Sequence, residues 1–271
     1  MLGIRDGARE GVWYEGMSGQ VFEEMAEAYE AMIDWPKRLA NEEGFYRRVF
    51  EGVGAKSVVD VACGTGRHAK MLQEWGMRVE GADVSVEMID RCRRRFGENE
   101  RLRWVVRGFE EAVERIGEFD AAVCVGNSLA LAKKREGVGR ALGRMMEAVR
   151  AGGVVVVHVL NLWRLEEGEI VWQKCRRAEL SGGESLIIKG VHRCGGQGYV
   201  EMVVGRLGEG VATMKSDCAR FWGIEAEEME RMMRAAGAEK VEVYGGYQFQ
   251  EYKREESQDL IVVAEKDRER R

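Results

Sequence analysis

Between Ser57 and Asn161 the chain alternates short apolar runs with amphipathic stretches, and this rhythm limits its fold more than any other feature. "SVVDVA" leads to "RHAKMLQEWG", and "RVEGAD" leads to "VEMIDRCRRRF". "LRWVVRGF" leads to a short helical stretch near "EEAVERI", "FDAAVCVG" leads to "GVGRALGRMMEAVRAG", and "VVVVHVLN" closes the series. Several of the strands are apolar throughout, as parallel strands covered on both faces must be. Strand and helix in strict alternation predict a doubly wound α/β sheet. Such sheets bind ligands beyond the carboxyl ends of their strands, so the strand-end loops are where chemistry is expected.

The flanks read differently. "VFEEMAEAYEAMIDW" has helical spacing, and Pro36 separates it from a second helix, "RLANEEGFYRRVFEGV". Residues 1–18 are Gly-rich and weakly patterned, which suggests an arm. After Asn161, "SLIIKGVHR", "GYVEMVVGR" and "TMKSDCARFWG" read as strands without intervening helices, an antiparallel insert. "IEAEEMERMMRAAGA" is an amphipathic helix, and "KVEVYGG" and "DLIVVAEK" are two closing strands. With no low-complexity linker and no repeat, the expected organisation is one domain over 1–271. Its parts are N-terminal helices and arm (1–52), a ligand-binding core (53–165), an insert covering the substrate (166–222), and a final helix with a strand pair (223–271).

Composition removes whole classes of function. With 271 residues, 45% of them hydrophobic, the chain can bury one large core. A net charge of -5 argues against nucleic acid as a partner, since such binding rests on a basic surface. No apolar run approaches a membrane span, and "MLGIRDGARE" is charged too early for a secretory signal, so the expected location is the cytoplasm. Cys63, Cys92, Cys124, Cys175, Cys194 and Cys218 form no CxxC pair, and His68, His158 and His192 lie far apart. Neither a metal site nor a disulfide framework is expected.

The first strand-end loop carries the sharpest signal. Gly64, Gly66 and Ala69 match the dinucleotide fingerprint G-x-G-x-x-G/A. In a dinucleotide fold, however, the first glycine follows the strand almost immediately, so that a helix N-terminus meets the pyrophosphate. Here Asp60 stands near the strand end with "VAC" between it and Gly64. A carboxylate aimed into the loop repels a diphosphate and attracts a cation. S-adenosyl-L-methionine has no phosphate and carries an ammonium and a sulfonium, so it fits this loop better. Asp83 ends the second strand about twenty residues on, where an acid can accept ribose hydroxyls. The alternative is that Asp60 only caps its turn and Asp83 the next helix. A G-x-G alone is weak; strand, acid, glycines, helix and second acid in that order are specific.

"DVACGTG" resembles the first motif of the class I S-adenosylmethionine-dependent methyltransferases, with Ala62 in place of its first glycine, and the resemblance covers roughly residues 20–267. It implies a Rossmann-like, doubly wound seven-stranded sheet whose last strand is antiparallel and inserted between its predecessors, here "DLIVVAEK". It implies S-adenosyl-L-methionine as cofactor, S-adenosyl-L-homocysteine as product, and no metal. The cofactor would be lined by Asp60, Ala62, Gly64, Thr65, Gly66, Asp83, Val84, Val125 and Gly126. The family's third strand usually ends in an acid that meets the adenine; in "VVRGFEE" that position is Gly108, which passes the contact to backbone, with Phe109 as an apolar wall.

The acceptor side is read from "VCVGNSLALA" at the end of the fourth strand. Pro36 is the only proline, so the Pro-Pro motif of nucleobase and side-chain amide methylation and the Pro-Cys of cytosine-C5 methylation are both absent. "GNS" instead resembles the glycine and glycine-sarcosine N-methyltransferases. Their pattern implies Arg38 in "DWPKRLANE" for the methionyl carboxylate, Asn161 and Trp163 in "HVLNLW" near the amine, and Tyr247 and Tyr252 in "YGGYQFQEY" along the site. Tyr29 is a further candidate, Asn127 and Asn161 would orient the amine, and Arg220 would hold a substrate carboxylate. The expected activity is methyl transfer to a small-molecule amine, without nucleic acid or membrane partners. An O-methyltransferase with a pocket reshaped by the insert, and a non-catalytic cofactor-binding protein made conceivable by Gly108, are the alternatives.

Overall fold

The computed structural model describes residues 19–208 and 213–268, so the arm expected at 1–18 lies outside the described residues. Seven strands form one sheet: β1 (Ser57–Asp60), β2 (Arg78–Asp83), β3 (Leu102–Val106), β4 (Phe119–Cys124), β5 (Val149–Leu160), β10 (Ala238–Tyr244) and β11 (Asp259–Lys266). Their order is β10-β11-β5-β4-β1-β2-β3, with β11 antiparallel to both its neighbours. The order reverses between β1 and β4, which makes the carboxyl ends of these two strands the switch point.

Helices cover both faces because both faces are apolar. On one side α5 (Arg135–Ala148) and α6 (Ala226–Ala235) bury Leu142, Met145, Met229 and Met233. On the other, α2 (Trp35–Gly52), α3 (Arg67–Glu74) and α4 (Val86–Phe96) bury Phe45, Phe50, Leu72 and Ile89. Pro36 falls inside the first turn of α2 rather than ahead of it. A first-turn residue has no intrahelical use for its N–H, so proline is tolerated there. Asp34 caps the same turn, its carboxylate accepting from the Lys37 amide at 3.2 Å. The short helix expected near residues 110–116 does not form; that stretch runs as turns and bends.

The insert is a four-stranded antiparallel sheet, β6 (Val171–Leu180), β7 (Gly183–Cys194), β8 (Gln197–Arg206) and β9 (Thr213–Trp222), in that order. Sequence reading finds three of the four. "VWQKCRRAEL" hides the other because it is an edge strand with nearly every residue exposed, so neither face carries an apolar signature. The inner face of the sheet packs on α1 (Gly19–Met32): Ile187, Met202, Val204 and Leu180 surround Ala28 and Met32. Farther along, Val191, Val200 and Phe221 join the main core beside Leu162. No described helix is long and apolar enough to cross a membrane.

Candidate active site

The loop between β1 and α3 turns on two glycines with left-handed backbone, Gly64 (φ +52°) and Gly66 (φ +77°). They have different reasons to be glycine. A Cβ on Gly66 would lie 2.7 Å from the Trp104 ring and 2.8 Å from Cys92 Sγ, so the position is closed by packing. A Cβ on Gly64 would meet nothing within 4 Å, so the loop there is open to close approach.

Asp60 ends β1 with no exposure to solvent. Its Oδ1 accepts weakly from the Ala62 amide at 3.4 Å, and its buried Oδ2 has no partner. Asp83 ends the neighbouring strand two residues past Gly81, the register partner of Asp60, its two oxygens accepting from the Gly64 amide at 2.9 Å and the Ser85 amide at 3.0 Å. Burial raises both carboxyls above their ordinary range, and Asp83 adds to the effect on Asp60, which is pushed up to about 7. An orphaned buried carboxylate oxygen next to an open glycine is poorly satisfied by the protein alone. It fits a ligand that brings a positive charge, as the cofactor expected from the sequence does.

A second cluster forms the wall opposite. Arg38 Nε donates to Glu42 Oε1 at 2.7 Å, and Glu42 Oε2 lies 2.7 Å from His68 Nε2. Burial pushes the Glu42 carboxyl up, but His68 and Arg38 outweigh it and hold it down at about 2. Burial likewise depresses His68. The Arg38 Nη2 points toward the end of β4, 3.7 Å from where a Cβ on Gly126 would stand. Tyr29 and Tyr247 are near enough to act on its charge, so both sequence candidates belong to this neighbourhood. Tyr247 is buried, with its hydroxyl 3.5 Å from that of Tyr46 and its ring 5.6 Å from the His158 ring. Burial keeps both phenols protonated.

Two residues in this region escaped the sequence reading. Glu30 of α1 accepts from Thr65 Oγ1 at 2.5 Å, from Arg67 at 2.9 Å and from Arg95 at 2.7 Å, so α1 is clamped onto the glycine loop. Nothing in the spacing of one glutamate among several announces this. His158 had a signal, a single polar residue in "VVVVHVL". Its Nδ1 accepts from the Gly126 amide at 3.1 Å, which leaves the proton on Nε2, facing Asp259 Oδ1 at 2.9 Å. It therefore fixes the backbone at the end of β4. Past the end of β3, the Gly108 amide is taken by Glu111 Oε1 at 2.8 Å, and Val84, largely exposed, stands close by. Phe109 packs against the main core, and Val125 is buried at the end of β4.

Three expectations need correction. Asn161 has both amide hydrogens donated, to the carbonyls of Arg254 (2.7 Å) and Ser257 (2.8 Å). Its oxygen accepts from the Trp163 amide (3.2 Å) and the Tyr252 hydroxyl (3.1 Å). All four of its hydrogen-bonding positions are used, so it clasps the loop before β11 and has nothing left for an amine. Asn127, at φ +74°, spends its side-chain oxygen on the Leu160 amide (3.0 Å) and so ties β4 to β5. That bond uses one of the two lone pairs of the oxygen, so Asn127 keeps hydrogen-bonding capacity at the end of β4, unlike Asn161. Trp163 and Arg220 serve packing: the indole donates to the Ile224 carbonyl under the Arg254 guanidinium, and Arg220 lies on Trp222 and donates to the Lys133 carbonyl. Arg220 pairs with Tyr199 across β8, on the face opposite the one that buries Ala219 and Phe221.

Residues 58–153 match the model of a family described as a methyltransferase domain. A glycine/sarcosine N-methyltransferase of Parasynechococcus marenigrum is 32% identical over 151 residues, which cover 55% of this chain and 54% of the relative. The chain thus spans about half the length of that relative. One from Aphanothece halophytica is 24% identical over 251 residues, covering 92% of this chain and 90% of the relative. Among solved structures, a sugar N-methyltransferase from Streptoalloteichus superposes with a TM-score of 0.72 at 22% identity, over 98% of this chain and 99% of that one. A cofactor-bound amino pentose methyltransferase from Micromonospora echinaspora does so with 0.69 at 18%, over 93% and 99%. These structures share the fold: a Rossmann-like sheet with its last strand antiparallel.

Proposed function

We propose that this chain, which carries a methyltransferase domain of the class I S-adenosylmethionine-dependent kind, transfers the methyl group of S-adenosyl-L-methionine to a small-molecule amine of the glycine or sarcosine type. The observation that carries the cofactor half is the unpartnered, fully buried Asp60 Oδ2 beside the open Gly64. The acceptor half is supported by the likeness to glycine/sarcosine N-methyltransferases over most of the chain.

When bound, the cofactor supplies a methyl group activated by the sulfonium. Asp60 would hold its ammonium, Asp83 its ribose hydroxyls through the lone pairs that Gly64 and Ser85 leave unused, and Arg38 its carboxylate. Glu30 closes α1 over the loop and keeps water out. Displacement at a sulfonium needs little covalent help, so the contribution of the protein is alignment of nucleophile and methyl group. The rigid end of β4, fixed by His158 and Asn127, sets that alignment. Tyr46 and Tyr247, held neutral by burial, give an uncharged wall suited to a deprotonated amine.

The test is release of S-adenosylhomocysteine against glycine, sarcosine and dimethylglycine, then amino sugars, phenols and carboxylates. Turnover on an amine supports the reading. Turnover on oxygen acceptors alone replaces it with O-methylation, and cofactor binding without any turnover makes the chain a binding protein.

A further inference from the structure

The insert presents one row of side chains across the middle of its inner face. Lys174 of β6 pairs with Lys189 of β7, Lys189 with Met202 of β8, and Met202 with Asp217 of β9. Directly opposed residues in an antiparallel sheet share a face, so all four point the same way. On either side of this row the same face is sealed. Ile187 and Val204 are buried against α1, and Val191, Val200 and Phe221 against the main core. Lys189 is thus the one charged residue of β7 placed between two fully buried ones, where the insert bridges from α1 to the core.

Among the described residues the Lys189 ammonium makes no hydrogen bond and no ion pair. Lys174 donates instead to the Met32 carbonyl at 3.1 Å. Asp217 stands two strand spacings away, about 10 Å, with Met202 between. The charged groups close enough to act on Lys189 are Lys174 and Arg38, both positive. Burial, with those two cations, pulls its ammonium down to about 8. Arg38 is also the residue that faces Gly126 at the end of β4, so Lys189 lies within electrostatic reach of a residue that borders the proposed site. Holding a partly buried ammonium beside like charges with no carboxylate to answer it is unfavourable for the free protein.

We propose that Lys189 is the anion anchor of the acceptor, so that the amine substrate of this chain carries a carboxylate or a phosphate. The inference rests on the amine-acceptor reading above and adds what that reading lacks, a group that selects the acceptor. It also replaces Arg220, which the register of β9 turns to the opposite face. A competing role for a lysine in this setting is that of proton acceptor, and the two roles separate on substitution by arginine, which keeps the charge and cannot give up its proton.

The experiment is calorimetric titration of the S-adenosylhomocysteine-loaded protein with sarcosine, glycine, glycinamide and glucosamine 6-phosphate, for wild type, Lys189→Met and Lys189→Arg. Cofactor-product affinity is measured first and is expected to be equal in all three, which reports an intact fold. Lys189→Met is expected to weaken the bound anionic amine at least tenfold and to erase the preference for glycine over glycinamide, while Lys189→Arg restores it to within about threefold. Whether sarcosine or the sugar phosphate shows the loss identifies carboxylate or phosphate as the source. Unchanged affinity in Lys189→Met, failure of Lys189→Arg to rescue, or no binding of either anion by wild type overturns the proposal. Binding that follows the expected pattern without any methyl transfer overturns the functional reading instead and leaves the anchor standing.

Discussion

Glu42 Oε2 and His68 Nε2 lie 2.7 Å apart inside the wall between α2 and α3, while the other oxygen of the same carboxylate holds Arg38. One buried anion therefore positions two groups. Glu42→Ala strands the Arg38 guanidinium, and breaking such a pair from one side costs about 3 kcal/mol. The folded carboxyl, at about 2, is below its ordinary 4.5. Its stabilisation is present above about pH 4.5 and is lost as pH falls toward 2. Urea midpoints of wild type and Glu42→Ala should therefore differ at pH 7 and converge as pH falls to about 2; a constant gap would contradict the pairing.

Asp60 has the opposite sign. Its folded value of about 7 lies above the ordinary 3.8, so the protonated form is favoured in the fold and stability declines as pH rises from 3.8 to about 7, then levels off. Asp60→Asn is expected to stabilise the free protein at pH 8 by about 2–4 kcal/mol. It should also weaken S-adenosylmethionine binding at least tenfold, because the cation loses its counter-charge. Wild-type cofactor affinity should fall below pH 7 and the variant's should not. Thermal unfolding of the free protein and cofactor titration across pH 6–8.5 read both halves.

The two loop glycines should respond unequally to alanine. Gly66→Ala combines left-handed backbone with a contact at 2.7 Å to Trp104, a destabilisation of about 2–4 kcal/mol. Gly64→Ala carries only the backbone strain, about 1 kcal/mol, because its Cβ meets open space. That methyl would project where the ligand approaches, so cofactor affinity should drop more than stability does. Chemical denaturation paired with cofactor titration separates them; equal stability losses would argue against the packing difference.

Asn161→Ala removes a side chain engaged on four sides. We expect a loss of about 2–4 kcal/mol in stability and faster hydrogen exchange in residues 254–258, with kcat below the unfolding range reduced less than threefold. A collapse of kcat in a variant of wild-type stability would restore Asn161 to the chemistry.

The strands of the sheet and the glycine loop were legible because each rests on local pattern: strand runs, the acid before two glycines, an acid ending β2; the place of the last strand came from the family resemblance. β6 was not, since an exposed edge strand has no apolar period. The role of Asn161 was misjudged for a different reason. Position near a strand end was correct, but a carboxamide serves backbone as readily as substrate, and only the partners decide. Glu30 and Lys189 owe their importance to docking between elements far apart in the chain, Glu30 with Thr65, Arg67 and Arg95, and Lys189 with Arg38. Spacing along one chain carries no trace of that.

The central place of β11 has a consequence for how the molecule assembles. β5, with its run "VVVVHVL", gains its second partner only from β11, and the pairing of Leu160 with Asp259 closes a loop of about 100 residues. The insert hairpins lie wholly inside that loop and need only short turns, so local pairing favours their early formation while β5 waits with one edge bare. An unpaired apolar edge of this kind is a template for other chains. Truncation before Asp259 would therefore yield not a smaller soluble domain but a product that self-associates through β5.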